Sequence, residues 1–304
     1  MEGIAIGDRK EDSRCYSGLC GEENKLLIAK AAQLACLLEV SAPKPGNVYP
    51  FKRFPEMGYE DFLIAASNLG FIIYTYLDKL GVGELIYRII SSTYEAVKTN
   101  VNLGIALLLV PLAKAYWKDS EEFRSSLRGV LDSLTVEDSR WVYKAIRMVS
   151  PGGIGRSSIA DVSEEPNITL KEAMEIASER DSIAYEYASD YKISFEIVYP
   201  CLKTYKREGM SWEDAIVQAY LDLLAEVPDT LIARKYGMEE AIKVSERAKI
   251  ILSLGGVKTA EGREAIRLFD LELREGKVKR NPGTSADLIT SGLMLYLLLE
   301  KERI

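Results

Sequence analysis

From Glu22 onward apolar residues return every three or four positions and polar residues fill the gaps, with few interruptions to the end of the chain. Leu26, Leu27, Ala31, Leu34 and Leu38 predict a helix over Glu22–Val40, which Pro43 and Pro45 stop. Phe62, Ala66, Leu69, Ile73, Tyr76 and Leu77 share one face of a second helix over Tyr59–Leu80. Gly83–Lys98, Asn102–Trp117, Glu121–Leu134 and Val136–Val149 follow, the second of them bent if it continues through Pro111. Thr135 precedes Asp138 by three, a helix-start signal. Thr169-Leu170-Lys171-Glu172 has capping-box spacing and opens a helix through Ala177 and beyond. Arg180–Lys206 reads as helical, in two segments around Asp190, and Ser211–Glu226, Met238–Leu254, Glu261–Leu273 and Ser285–Glu302 complete the series. No run of alternating Val, Ile and Thr bounded by turns suggests a sheet. Short connections and the absence of a linker-like composition shift predict one all-α domain over residues 22–304, a bundle of roughly a dozen helices. Residues 1–21 are polar and glycine-containing and read as a tail.

Composition narrows the functional classes. At 304 residues with 47% hydrophobic positions, the chain can bury a full core. A net charge of −7 argues against a nucleic-acid surface while leaving room for a local basic pocket. The longest apolar runs, Leu103–Ala113 and Leu293–Leu299, are too short to span a membrane. Met1–Arg14 has no secretory-type apolar core, so a cytoplasmic location is expected. Oligomeric state is left open, a homo-oligomer included. Cys15, Cys20, Cys36 and Cys201 show no metal-type pairing. The chain has no histidine, which removes imidazole triads and the usual zinc hydrolase sites. Acid–base work falls to Asp, Glu, Lys, Tyr or Cys, and a metal would be an oxygen-ligated ion such as Mg²⁺.

Candidate chemistry lies at the helix breaks. Ser150–Asp161 places Gly152, Gly153 and Gly155 where backbone can approach a ligand, with Arg156 and Asp161 beside them. A helix C-cap and turn would use the same residues. Lys44 stands between two prolines whose rigid backbone suits it to hold a phosphate, or simply to sit solvated on a stiff turn. Asn100 and Asn102 precede a helix start, where an amide caps the helix or helps bind an anion. Asp229 stands before Arg234 and Lys235, as a helix cap or as a ligand. Asn281-Pro282-Gly283-Thr284 leads to Asp287, and Thr284 and Asp287 have capping spacing. Asp181 shares a helical face with Ala184 and Tyr185, away from Glu172, Glu175 and Glu179. A carboxylate on that inward face needs a partner, and adjacent Arg180 points elsewhere. There is no P-loop and no dinucleotide fingerprint.

The ordered series Pro43-Lys44-Pro45-Gly46, Asn102-Leu103-Gly104, Pro151-Gly152-Gly153-Ile154-Gly155 with Asp161-Val162, Arg180-Asp181, Pro228-Asp229-Thr230 with Ala233-Arg234-Lys235, and Asn281-Pro282-Gly283-Thr284 with Ala286-Asp287-Leu288 resembles the triphosphoribosyl-dephospho-CoA synthase family. The resemblance covers about residues 26–300 and implies an all-helical transferase. Such an enzyme moves the triphosphoribosyl unit of ATP onto 3′-dephospho-CoA and releases adenine. On that reading Asp161, Asp181 and Asp229 are the catalytic candidates. Lys44, Asn102, Gly152, Gly153, Arg180, Arg234, Lys235 and Asn281 hold the nucleotide and its phosphates, and Asp181, Asp229 and Asp287 hold Mg²⁺. A different Mg-dependent ribosyltransferase or phosphohydrolase of the same fold, with another acceptor, is the alternative.

Overall fold

Pro111 sits inside the longer apolar run, and the helix continues through it. The computed structural model describes residues 17–150, 162–275 and 280–300. In it, α4 (Leu103–Lys118) is apolar on nearly every side and buried accordingly. Proline has no N–H to offer the Leu107 carbonyl one turn back. The Tyr187 hydroxyl donates to that carbonyl instead at 2.7 Å, and the Tyr191 hydroxyl donates to the Leu108 carbonyl at 2.9 Å. The backbone group that Pro111 leaves unmet is thus satisfied from a neighbouring segment, so the helix survives in the core.

The second apolar run forms α14 (Gly283–Leu299), which packs on α4 and on α1 (Ser17–Ser41). Helix α1 starts inside the stretch read as a tail, and residues 1–16 lie outside the described part. Around this centre run α2 (Tyr59–Tyr76), α3 (Val82–Val97), α5 (Phe123–Asp132) and α6 (Val136–Val149). Then come α7 (Leu170–Ala177), α8 (Ser182–Ala188), a π turn over Ser194–Val198 and α9 (Tyr199–Arg207). The remainder is α10 (Trp212–Glu226), α11 (Thr230–Tyr236), α12 (Met238–Ser253) and α13 (Ala260–Arg274). The described residues contain helices and two isolated bridges, Tyr49 with Lys52 and Phe54 with Met57, and no strand, as the apolar period predicts. None of the helices among them is long and apolar enough to cross a membrane.

Local signals account for the boundaries. The Thr135/Asp138 and Thr169/Glu172 capping boxes both form, opening α6 and α7. The expected division near Asp190 is real. Asp190 and Tyr191 take φ of 54° and 60°, and buried Glu186 then accepts from the Ile193 and Ser194 amides at 2.7 and 3.0 Å to start the π turn.

One boundary differs from expectation and matters for the site. The stretch starting at Arg180 is not continuous helix: α7 ends at Ala177, and Asp181 is the N-cap of α8. Its Oδ1 accepts from the Ile183 and Ala184 amides at 2.8 and 3.3 Å. Ser178, Glu179 and Arg180 are all compatible with helix, so apolar phase alone runs through this turn.

Candidate functional site

Several helix breaks open on one cavity of about 630 Å³, a volume suited to a small-molecule ligand. One wall is apolar and aromatic, built from Val142, Tyr143 and Ile146 of α6 with Leu170, Ala173 and Met174 of α7. The other end is charged. Glu39 reaches it from the last turn of α1, Asp181 from the start of α8, Arg234 and Lys235 from α11, and Asp287 from α14. Gly104 and Thr284 line it at the first turns of α4 and α14, whose positive dipole ends favour an anion there. Ser150 and Val162 also line the cavity. Gly152, Gly153 and Asp161 belong to the intervening stretch and lie outside the described residues.

Asp181 has a protein partner. Besides capping α8, its Oδ2 pairs with Arg234 Nη1. A guanidinium therefore meets the carboxylate for which the sequence suggested Mg²⁺. Arg234 retains capacity of its own, because its Nε is buried without a hydrogen bond. Asn281 Oδ1 is in the same condition, and both residues line the cavity. Buried polar atoms are ordinarily paired, so two unpaired ones on residues that line one cavity mark a place where a ligand can supply the partners. Arg180 and Lys235 line the cavity as well.

Asp229 and Asp287 look alike in sequence and are treated differently by the fold. Asp229 is 1% exposed and caps two helices at once. Its Oδ1 accepts from the Ile232 amide at 3.0 Å, and its Oδ2 from the Ser285 amide and hydroxyl at 2.7 and 2.8 Å. Burial raises its pKa and these hydrogen bonds oppose the rise. It does not line the cavity. With Asp229 acting across the junction, the expected Thr284/Asp287 box does not form: the residue before α14 is Pro282, which makes no cap bond of its own, and Asp229 supplies the acceptor instead.

Asp287 is left facing the cavity, and among the described residues its carboxyl makes no hydrogen bond. Burial, followed by the charges of Glu39, Asp229 and Asp181, holds its pKa well above the usual carboxylate range, against the pull of Arg234. The side chain keeps an opening onto the cavity, yet it lies deep enough for burial to dominate. Gly104 makes that position available, because a Cβ there would collide with Asp287 Oδ2.

The expected phosphate lysine lies elsewhere. Lys44 is 0% exposed, and its ammonium serves the Glu39 carbonyl, the Ala42 carbonyl at 3.2 Å and Glu39 Oε1 at 2.9 Å. An ammonium has three protons to donate, and three protein acceptors meet this one. The surrounding turn is similarly committed. Gly46 takes φ of 79°, and its amide donates to Asp270 Oδ1 at 2.8 Å. A Cβ there would press on Leu273 and Pro282 at 2.8 and 2.9 Å. Asn102 is also turned away: it precedes α4 without a side-chain cap bond, and its Nδ2 donates to Thr93 Oγ1 at 3.2 Å. Asn100 does the capping, accepting from the Leu103 amide at 3.2 Å, and it is the asparagine of that pair that lines the cavity.

Glu39 is the cavity carboxylate that motif reading misses. It falls on the phase of Ile28, Ala32 and Ala35, the buried face of α1, and a carboxylate in an apolar stripe is the signal that could have found it.

The fit to Mg²⁺ follows from these assignments. Asp229 has both oxygens engaged, and Asp181 divides its own between a cap and Arg234. Among the described residues no group of three or more Asp, Glu or Cys side chains can hold a metal by itself. Magnesium carried by a triphosphate needs only one or two protein carboxylates, with phosphate and water completing its shell. Asp287 meets that smaller demand.

Residues 25–304 match the family model described as ATP:dephospho-CoA triphosphoribosyl transferase. A protein of Malonomonas rubra named as a probable 2-(5″-triphosphoribosyl)-3′-dephosphocoenzyme-A synthase is 25% identical over 292 residues, covering 90% of this chain and 88% of its own length. Proteins of the same name from Stutzerimonas stutzeri and Azotobacter vinelandii are 27% and 30% identical over 96 residues. Those shorter matches span about a third of the length of these two relatives, 32% in each case. A crystal structure from Archaeoglobus fulgidus, carrying the triphosphoribosyl-dephospho-CoA synthase name, superposes with a TM-score of 0.59 at 27% identity. It covers 77% of this chain and 97% of its own.

Proposed function

The chain belongs to the ATP:dephospho-CoA triphosphoribosyl transferase family, and we propose that it moves the triphosphoribosyl unit of ATP onto 3′-dephospho-CoA with release of adenine. The observation that carries this reading is the pairing, in one cavity, of an apolar wall with a cationic end whose Arg234 Nε and Asn281 Oδ1 lack partners. A nucleotide has the matching halves. Its base suits the α6–α7 wall with Tyr143, and its triphosphate suits Arg180, Arg234 and Lys235 at the positive ends of α4 and α14.

Loss of adenine leaves positive charge on the ribose, which nearby carboxylates stabilise. Among the described residues Asp181 and Asp287 are the aspartates that line the cavity. Asp181 also aims Arg234, so one contact positions both a carboxylate and a phosphate-binding cation. Asn281 Oδ1 accepts a hydrogen bond from a ribose hydroxyl. Mg²⁺ on the triphosphate, faced by Asp287, would neutralise phosphate charge. Asp229 and Lys44 act through structure, the first by fixing the α11–α14 junction and the second by fixing Glu39. The setting proposed is the cytoplasm, where ATP is available.

The test is incubation with Mg·ATP and 3′-dephospho-CoA, followed by mass spectrometry of both products. Free adenine in step with a triphosphoribosyl adduct of the acceptor is the expected result. Release of ADP or AMP in step with turnover would overturn the reading.

A further inference from the structure

Among the described residues three carboxylates border the charged end of the cavity, and they differ in what the protein has already done with them. Asp181 is spent on a helix cap and on Arg234. Asp287 has no hydrogen bond among the described residues. Glu39 is 4% exposed and has a cation of its own: Lys44 meets Oε1 at 2.9 Å, while Oε2 makes no hydrogen bond among the described residues.

The geometry around Lys44 is that of a holder. Glu39 lies in the last turn of α1, whose terminal carbonyls have no helical donors. Lys44 supplies donors to the Glu39 and Ala42 carbonyls and to the Glu39 carboxylate at once. Pro43 and Pro45 limit the backbone on either side of it. The turn is clamped from outside by Tyr220, whose hydroxyl donates to the Pro45 carbonyl at 2.9 Å, and by Asp270 through the Gly46 amide. The Pro-Lys-Pro-Gly motif therefore fixes one carboxylate at the cavity wall with one oxygen anchored and the other open. Asp287 lies nearby. Its charge reaches both Cys36 and Glu39, which sit one turn apart on the same face of α1.

We infer that Glu39 is a catalytic residue that takes the proton of the acceptor hydroxyl, and that Lys44 is its positioning residue rather than a phosphate ligand. The inference rests on the function proposed above. In the step, the hydroxyl O–H bond breaks and its proton passes to Glu39 Oε2. The freed oxygen forms a bond to C1′ of the ribose while the C1′–N9 bond breaks, its electron pair leaving with adenine. Adenine takes up one proton, so Glu39 acts as carrier for a proton that ends on the leaving base. An anchored carboxylate with one open oxygen suits this role, because a general base must hold its lone pair within hydrogen-bond reach of the hydroxyl.

The experiment compares wild type, Glu39→Gln and the double variant Glu39→Gln/Lys44→Met. The double variant removes both charges together, so that no unpaired buried ion is left to unfold the protein. Adenine release with Mg·ATP and 3′-dephospho-CoA is followed by chromatography, Mg·ATP binding by calorimetry and folding by thermal melting. The expected result is that both variants bind Mg·ATP within about threefold of wild type, while kcat falls about a hundredfold or more and KM for ATP is little changed. Wild-type adenine release with turnover kept within a few-fold in the folded double variant would overturn the inference and leave the proposed function standing. Parallel loss of Mg·ATP affinity and turnover would also overturn it, because Lys44 or Glu39 would then be holding the nucleotide. A wild type that releases ADP or AMP instead of adenine would overturn both.

Discussion

Two proline-glycine turns lie against each other in this protein, and they have opposite fates. In the Pro43–Asn47 turn the polar groups are committed to the protein: Lys44 to Glu39 and Ala42, the Gly46 amide to Asp270, and the Asn47 amide group to Tyr220 at 3.1 Å. In the Asn281–Asp287 turn only Ser285 is committed in that way, to Asp229, and other capacity is left over. Asn281 Oδ1 and Arg234 Nε lack partners, and Asp287 faces open space. The two breaks carry similar residues, a Pro-Gly pair beside charge and amide. One is a brace, and the other is where a ligand completes the hydrogen bonding. A motif signals binding when its hydrogen-bonding capacity is left over after folding, and a residue list does not reveal that remainder.

The comparison breaks most visibly at Lys44. Lys44→Met alone leaves the buried Glu39 carboxylate without its cation, and a loss of about 3–5 kcal/mol is expected in chemical denaturation. Adding Glu39→Gln should recover most of it. A single variant as stable as wild type would show that the turn is no brace. On the opposite turn, Asp287→Asn should leave the melting temperature unchanged or raised, because burial already disfavours the charged form that asparagine lacks. It should also lower adenine release about a hundredfold, or ~2.7 kcal/mol. Loss of stability with activity intact would reverse the assignment.

Glu186 sharpens the point away from the site. It is a fully buried carboxylate that accepts from two backbone amides, and burial still pushes its pKa up to about 7, with those bonds and Arg124 opposing. The folded state therefore holds the proton more tightly than the unfolded state. Stability should fall as pH rises from about 4.5 towards 7 and then level off, by at most ~3 kcal/mol. Glu186→Gln should flatten that slope in melts taken across pH, and an unchanged slope would place its origin in other groups. Asp181 gives the smallest effect. Asp181→Ala loses the α8 cap and the Arg234 pair, for about 1–2 kcal/mol, whereas Asp181→Asn keeps the cap and should melt within a few degrees of wild type.

These outcomes track how much was legible in the sequence. The helices were, because burial of one face writes a 3.6-residue period that needs no tertiary information. Thr135 and Thr169 gave their helix starts correctly, since capping boxes are local. The apolar period carries a continuous helix through Asp181 because Ser178, Glu179 and Arg180 do not interrupt one. The spacing of Asp287 from Thr284 suggests a cap pair because its true competitor, Asp229, arrives from a distant stretch of chain. Lys44 and Glu39 are close in sequence, yet nothing local says that an ammonium will turn back onto the carboxylate rather than outward. Helix membership is decided locally, whereas hydrogen-bond satisfaction is decided by the whole fold.

The measurement that tests the central claim most directly is calorimetric binding of Mg·ATP to wild type and to Arg234→Gln. Asp181 keeps its cap bonds in that variant, and the guanidinium whose Nε awaits a partner is removed. If the open end of the cavity holds the triphosphate, affinity should fall at least tenfold at constant salt, with the melting temperature of the free protein lowered by only a few degrees. Equal affinity in the two proteins would contradict the account, because the nucleotide would then be bound somewhere other than at the end of the cavity where hydrogen bonding is incomplete.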